Sequence, residues 1–243
     1  RYGPDRLFVH IHLDSDTSPE EQLQAFEAAG HPVVRLQLAD RFDLGAQFFL
    51  WEIATAIAGH FLGINPFDQP NVEAAKKVAR QMVQSYMKAG RLPEFVPTLR
   101  SDRLMVYADP PLASTRPTTP GDALFSFLDT VEPDGYVSIQ AYLAPTPETD
   151  KALQELTIWA HTRVATTVGY GPRYLHSTGQ LHKGDAGNGH FIQLTGAVTE
   201  DIPIPDQAGS EASSITFGTL IQAQALGDRQ ALLDAGRRVL GVH

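Results

Sequence analysis

The chain has 243 residues, a net charge of −9 and no cysteine, so it can bury a substantial core without staples, and disulfides, thiolate chemistry and Cys-ligated zinc are excluded. The acidic balance argues against a nucleic-acid surface, and no apolar run of about 18 residues or more reads as a membrane span. A reducing, cytoplasmic setting is the default expectation, and a start at Arg1 without Met or leader character suggests a piece of something longer.

Residues 7–13, Leu-Phe-Val-His-Ile-His-Leu, predict a strand. Ser18 as N-cap and Pro19 at the first helical position then open an amphipathic helix to Gly30, and residues 32–38 predict a second strand. This β-α-β unit implies parallel pairing through a right-handed crossover. Residues 44–62 predict a helix that is apolar on nearly every face, through Phe48, Phe49, Trp51, Ile53, Ile57 and Phe61. Asp43, Gln47, Glu52 and His60 favour a central buried helix over a membrane span. Glu52 is then expected to be ion-paired or to lie near a site.

A stiff polar loop follows, Ile64-Asn65-Pro66-Phe67-Asp68-Gln69-Pro70, with Asn71 a candidate N-cap for a helix over 72–89 that Gly90 ends. Gln69 and Lys76 project toward the same end of that helix. An amide and an ammonium beside a helix N-terminus can hold a polyhydroxylated or anionic ligand. The plainer alternative is a capped surface helix with a solvated lysine.

Prolines cluster between residues 91 and 121 around one predicted strand, 104–108, which marks a boundary or crossing segment. A helix over 122–131, a strand over 136–143, a helix from Thr146 to about Arg163 and a short buried strand over 165–168 follow. Residues 169–184, Gly-Tyr-Gly-Pro-Arg-Tyr-Leu-His-Ser-Thr-Gly-Gln-Leu-His-Lys-Gly, then leave a strand end as a glycine-rich turn, where open α/β sheets bind ligands. His176, Ser177, Thr178, Gln180, His182 and Lys183 place acid/base, hydroxyl and cationic groups close together. His176 and Gln180 would share a face if the segment is helical; His176 and His182 would not, which makes them a poor metal site. The chain closes with a strand at 190–194, a polar loop at 201–213 read as a mobile excursion, a helix over 216–235 and a strand at 237–242. Alternating strands and helices argue for α/β layers throughout.

Residues 64–76 resemble the C-terminal signature of glucose-6-phosphate isomerases, an aromatic-Asp-Gln-x-Gly-Val-Glu-x-x-Lys pattern, with Asn71 in the glycine position; Trp51-Glu52 resembles the segment leading into it. Residues 171–184 resemble the isomerase half of bifunctional transaldolase/glucose-6-phosphate isomerase fusions. The resemblance implies a three-layer sugar-isomerase fold with a mostly parallel sheet flanked by helices. It divides the chain into a C-terminal sugar-isomerase core at 1–90, a Pro-rich connector at 91–121 and a second α/β segment at 122–243 packed into the same domain.

It further implies interconversion of glucose 6-phosphate and fructose 6-phosphate through a cis-enediol, with no metal and no cofactor. Lys76 and His176 would be catalytic, the first near the sugar ring or developing charge, the second in ring opening. Gln69, Ser177, Thr178, Gln180 and Lys183 would bind substrate, supported by Glu52, Glu73, Arg173 and His182. No counterpart of the Glu-Ser-Thr-Gly-Lys segment that supplies the base occurs in the chain. The base is therefore expected from upstream sugar-isomerase and transaldolase domains of the same polypeptide, and the chain alone is expected to be inactive or weakly active. The expected partners are a sugar phosphate and a second copy of the chain, with no nucleic acid and no membrane. Two further readings stand beside this one. The first is a non-catalytic sugar-phosphate-binding or regulatory module; the second is a structural or dimerisation domain using the 44–62 helix.

Overall fold

The computed structural model describes residues 2–16, 19–68, 70–109, 117–159, 164–176, 178–198 and 200–243, leaving out the side chains at 70–72, 74, 75, 158, 159 and 176. The chain forms two compact units, Arg1–Asp68 and Gln69–His243.

In the first unit, strand β1 (Phe8–Leu13), helix α1 (Glu20–Ala28) and strand β2 (Val33–Leu38) make the expected β-α-β pair, parallel and in register from Phe8↔Val33 to Leu13↔Leu38. Phe26 of α1 stacks on Phe8 of β1 at 4.0 Å, and Arg35 of β2 reaches Glu27 at 2.7 Å and Glu20 at 2.9 Å. Ser18 lies outside the described residues, and Pro19 occupies the N-cap rather than the first helical position.

Helix α2 (Asp43–Leu62) has the predicted extent but not the predicted burial. Gly59 is its one buried position; Phe48 is 63% exposed and Phe61 84%. Two strands and one short helix offer too little surface to cover a helix that is apolar all round. Glu52 is also exposed and has no ion pair among the described residues, contrary to the buried pairing expected. No helix among the described residues is long and apolar enough to cross a membrane.

The second unit opens with helix α3 (Pro70–Ala89). The helix starts one residue before Asn71, because proline's fixed φ suits the first helical position, so Asn71 lies inside the first turn. Then come β3 (Leu99–Arg100), β4 (Met105–Asp109), α4 (Pro120–Leu128), β5 (Tyr136–Tyr142), α5 (Pro147–Trp159), β6 (Ala165–Tyr170), a 3₁₀ turn (Arg173–His176), α6 (Gly179–Gly184) and β7 (Gly189–Thr195). A short pair, β8 (Pro203–Ile204) and β9 (Ile215–Thr216), precedes α7 (Phe217–Asp234) and β10 (Arg238–Val242).

The main sheet runs β3-β4-β10-β7-β5-β6. Its last four strands are mutually parallel, but β3 and β4 are antiparallel to each other and β4 to β10, so the sheet is mixed rather than mostly parallel. The physical reason is the tight return between β3 and β4, where Ser101 N–H donates to the Leu104 carbonyl at 2.9 Å. A hairpin that short joins only antiparallel strands.

Alternate residues of β5 point to opposite layers. Val137, Ile139 and Ala141 pack with Ala123 and Phe127 of α4 and Leu153 of α5. On the other face, Phe191 of β7 and Val239 of β10 pack with Leu232 of α7. Helix α4 starts in a capping box in which Thr119 Oγ1 accepts from Asp122 N–H at 3.1 Å and Asp122 accepts from Thr119 N–H at 2.9 Å.

Helix α3, which the sequence groups with the first segment, belongs to the second unit, where it crosses α7 backbone to backbone. A Cβ at Gly227 would stand 2.8 Å from Ala79 N and 2.9 Å from its Cα. Gly227→Ala should therefore destabilise the chain by about 1 kcal/mol net, a clash of ~1–3 kcal/mol outweighing the helix-propensity gain. Urea unfolding measures this, and a stabilised variant would contradict the crossing. The 201–213 loop is pinned rather than loose: β8 pairs with β9, and Asp206 accepts from Ser214 N–H at 2.8 Å and Oγ at 2.9 Å.

Candidate functional site

Where β6 ends, the chain must pass close over Tyr142, and only a residue without Cβ fits: at Gly171 a Cβ would lie 2.5 Å from the Tyr142 ring. This passage delivers the 3₁₀ turn and α6 onto the sheet face that carries Ser138 and Gln140. His182 of α6 is 3% exposed there, with Nε2 3.4 Å from Ser138 Oγ and Nδ1 3.3 Å from Gln140 Nε2. An amide nitrogen only donates, so this orientation makes Nδ1 the acceptor and leaves the proton on Nε2. Burial pushes the imidazole pKa down to about 4, with Asp228 opposing and Lys183 adding to the shift. His182, Ser138, Thr167, Arg173, Tyr174 and Thr178 all line a cavity of about 250 Å³. A neutral imidazole, hydroxyls and one guanidinium suit a polyhydroxylated, anionic ligand.

Lys183, the neighbouring candidate, lines none of these walls. Its Nζ pairs with Asp228 Oδ1 at 2.5 Å, the two side chains being 2% and 0% exposed. The Tyr174 hydroxyl donates to Asp228 Oδ2 at 2.6 Å and touches the Tyr142 hydroxyl at 3.2 Å; burial first, then Asp228, pushes the Tyr174 pKa well up. Arg237 closes the C-terminal end of α6, donating to the Lys183 carbonyl at 2.9 Å and pairing with Asp185 at 2.8 Å.

The second cavity, of about 420 Å³, lies between α3 and α7 and is lined by Lys76, Ala79, Arg80, Val83 and Gln84 with Leu220 and Gln224. Lys76 Nζ pairs with Glu73 Oε1 at 2.7 Å on the exposed helix surface, and that bond holds the Glu73 carboxyl below its usual range. Arg80 and Gln84 were not singled out from the sequence, although they stand four and eight residues beyond Lys76 on one helical stripe.

The structure thus brings Arg173, Thr178 and His182 together, and places Lys76 at a different cavity; Glu73 pairs with Lys76 but does not line that cavity. Gln180, on α6, is half-buried and lines neither cavity; Glu52 lies on α2 of the first unit. His176 ends the 3₁₀ turn, a segment separate from α6, so the His176–Gln180 face of one continuous helix is not formed. Gln69 and Ser177 lie outside the described residues.

Against known proteins, the chain resembles glucose-6-phosphate isomerases over part of its length. It is 46% identical over 54 residues to that of Limosilactobacillus fermentum, covering 21% of this chain and 12% of that protein. It is 39% identical over 69 residues to that of Exiguobacterium sibiricum, covering 28% and 15%. It is 35% identical over 82 residues to that of Limosilactobacillus reuteri, covering 30% and 18%. The likeness is local. These matches span less than a fifth of each of these relatives. No family model matches the chain. A hypothetical protein from Thermus thermophilus aligns over 96% of this chain and 50% of its own at 16% identity and a TM-score of 0.42, too distant to support a conclusion.

Asp228, Tyr142 and Tyr174 were missed from the sequence. Asp228 was detectable as part of a charged doublet, Asp228-Arg229, inside an otherwise largely apolar helix.

Proposed function

We propose that this chain is part of a sugar-phosphate isomerase of the glucose-6-phosphate isomerase type, acting within a longer polypeptide of the transaldolase-fusion kind. The observation that carries this reading is the local match to glucose-6-phosphate isomerases at 35–46% identity. The α3/α7 cavity supports it: Lys76 and Arg80 supply charge for a phosphate, and Gln84 and Gln224 supply amides for hydroxyls. Its volume falls in the ~300–1,000 Å³ range of small-molecule sites.

Proton transfer between C1 and C2 needs a carboxylate base and a group that stabilises the enediolate oxygen. Lys76 fits the second role. No carboxylate lines either cavity among the described residues, and the Glu73 carboxylate is engaged by Lys76 on the exposed helix surface; on this reading the base comes from another part of the polypeptide. The same observation favours a second reading, a sugar-phosphate-binding module without catalysis of its own.

Two measurements separate the readings. Fructose 6-phosphate should bind this chain without being converted, and Lys76→Ala should weaken binding about tenfold, or ~1.4 kcal/mol, by calorimetry. In the full polypeptide, Lys76→Ala should cut isomerase kcat/KM at least as much; unchanged turnover there would leave only the binding module.

A further inference from the structure

Helix α7 presents a second polar stripe. Leu220 and Gln224 face the Lys76 cavity, whereas Gln222, Leu226 and Arg229 line a separate cavity of about 440 Å³ at the C-terminal ends of β7 and β10. The carboxyl ends of parallel strands are where open α/β sheets take ligands.

Arg229 is the unusual group in this cavity. It is 6% exposed, its Nε has no hydrogen-bond partner, and it forms no ion pair among the described residues. Its guanidinium carbon lies 5.2 Å from the centre of the Phe95 ring and 5.7 Å from that of Tyr107. Rings on the guanidinium hold its plane and offset part of its lost hydration, but they leave its hydrogen-bonding edge unmatched. Burial lowers its pKa while Asp109 and Tyr107 act in the opposite sense, and a guanidinium stays charged throughout.

Arg100 and His243 line the same cavity, with Glu94 as the opposing carboxylate. The His243 ring is fixed by its Nδ1 contact with Thr195 Oγ1 at 3.0 Å. Two guanidiniums and an imidazole around one space suit a doubly charged anion better than a single carboxylate, and the Thr195 hydroxyl and Gln222 amide suit a hydroxylated body.

We propose that this cavity binds a small organic phosphate, with the phosphate on Arg229 and Arg100, as a site separate from that of Lys76. The inference does not rest on the isomerase reading. It is tested by titrating inorganic phosphate into the chain by calorimetry, with acetate as the carboxylate control. Arg229→Met should weaken phosphate binding at least tenfold, and Arg100→Gln, at an exposed position, several-fold. Lys76→Ala should leave this binding intact. Because an unpaired buried cation is being replaced by an apolar side chain, Arg229→Met should melt no lower than the parent, which separates a ligand role from a structural one. Phosphate binding unchanged in both Arg229→Met and Arg100→Gln, or acetate binding as tight as phosphate, would overturn the proposal. If Arg229→Met does not fold, a purely structural role for Arg229 is indicated, and an unchanged Arg100→Gln variant completes the refutation.

Discussion

Replacing Asp228 by Asn should lower the stability of the second unit by about 3–5 kcal/mol, the usual cost of removing one partner from a buried ion pair. Lys183 and Asp228 are almost fully buried, 2.5 Å apart. Losing the carboxylate leaves an ammonium whose remaining contact is the Gly179 carbonyl at 3.5 Å. It also removes the charged acceptor of the Tyr174 hydroxyl. The pair joins α6 to α7, so the segment that holds His182 against the sheet should loosen with it. Urea unfolding followed by far-UV circular dichroism reads the loss as a fall in midpoint at constant slope. The double variant Lys183→Met/Asp228→Leu should recover most of it, because an apolar pair of similar volume carries no desolvation cost. An Asp228→Asn variant within about 1 kcal/mol of the parent would mean that the pair is not sealed from water.

How much of this was legible in the sequence depends on the range of the forces involved. Local patterns placed β1, α1, β2, β5, β7 and α7 to within a few residues, because alternation, helical periodicity and caps are written in neighbouring positions. Strand direction is not, and β4 ran against β10 although its apolar alternation was plain. The burial of α2 was misjudged because composition says how much surface a helix offers, not whether anything covers it. The 169–184 segment was recognised as polar and glycine-rich, but its two helical pieces were hidden, since each is too short to show a period. Its chemistry was harder still. Lys183 looked like a ligand contact until Asp228, 45 residues away, claimed it. Lys76, read from a local motif as a ligand contact, lies on an exposed helix surface paired with Glu73, as the plainer reading of a capped surface helix also expects.

Acidification should expose the state of His182. In the unfolded chain a histidine titrates near pH 6.5; in the fold, burial brings this one down to about 4. Between those values the unfolded chain binds a proton that the folded chain refuses. Stability is therefore fully present above about pH 6.5 and is lost progressively as the pH falls toward 4. At 1.36 kcal/mol per unit, the loss should reach about 2 kcal/mol by about pH 5. His190 contributes in the same direction, its pKa also lowered by burial. The carboxylates held below their usual range, Glu27, Glu73, Asp122 and Asp201, lose their contributions at lower pH, around and below the ordinary carboxylate values of 3.8 to 4.5. The window between about pH 6.5 and 5 thus belongs to buried histidine. Thermal melts across it should show a falling midpoint in the parent and a flatter profile in His182→Gln, which cannot be protonated. An equally steep profile in His182→Gln would assign the effect elsewhere. Should the profile flatten, His182 is a neutral imidazole throughout the neutral range, and any part it takes in handling a sugar phosphate is as a hydrogen-bonding group rather than as a cation.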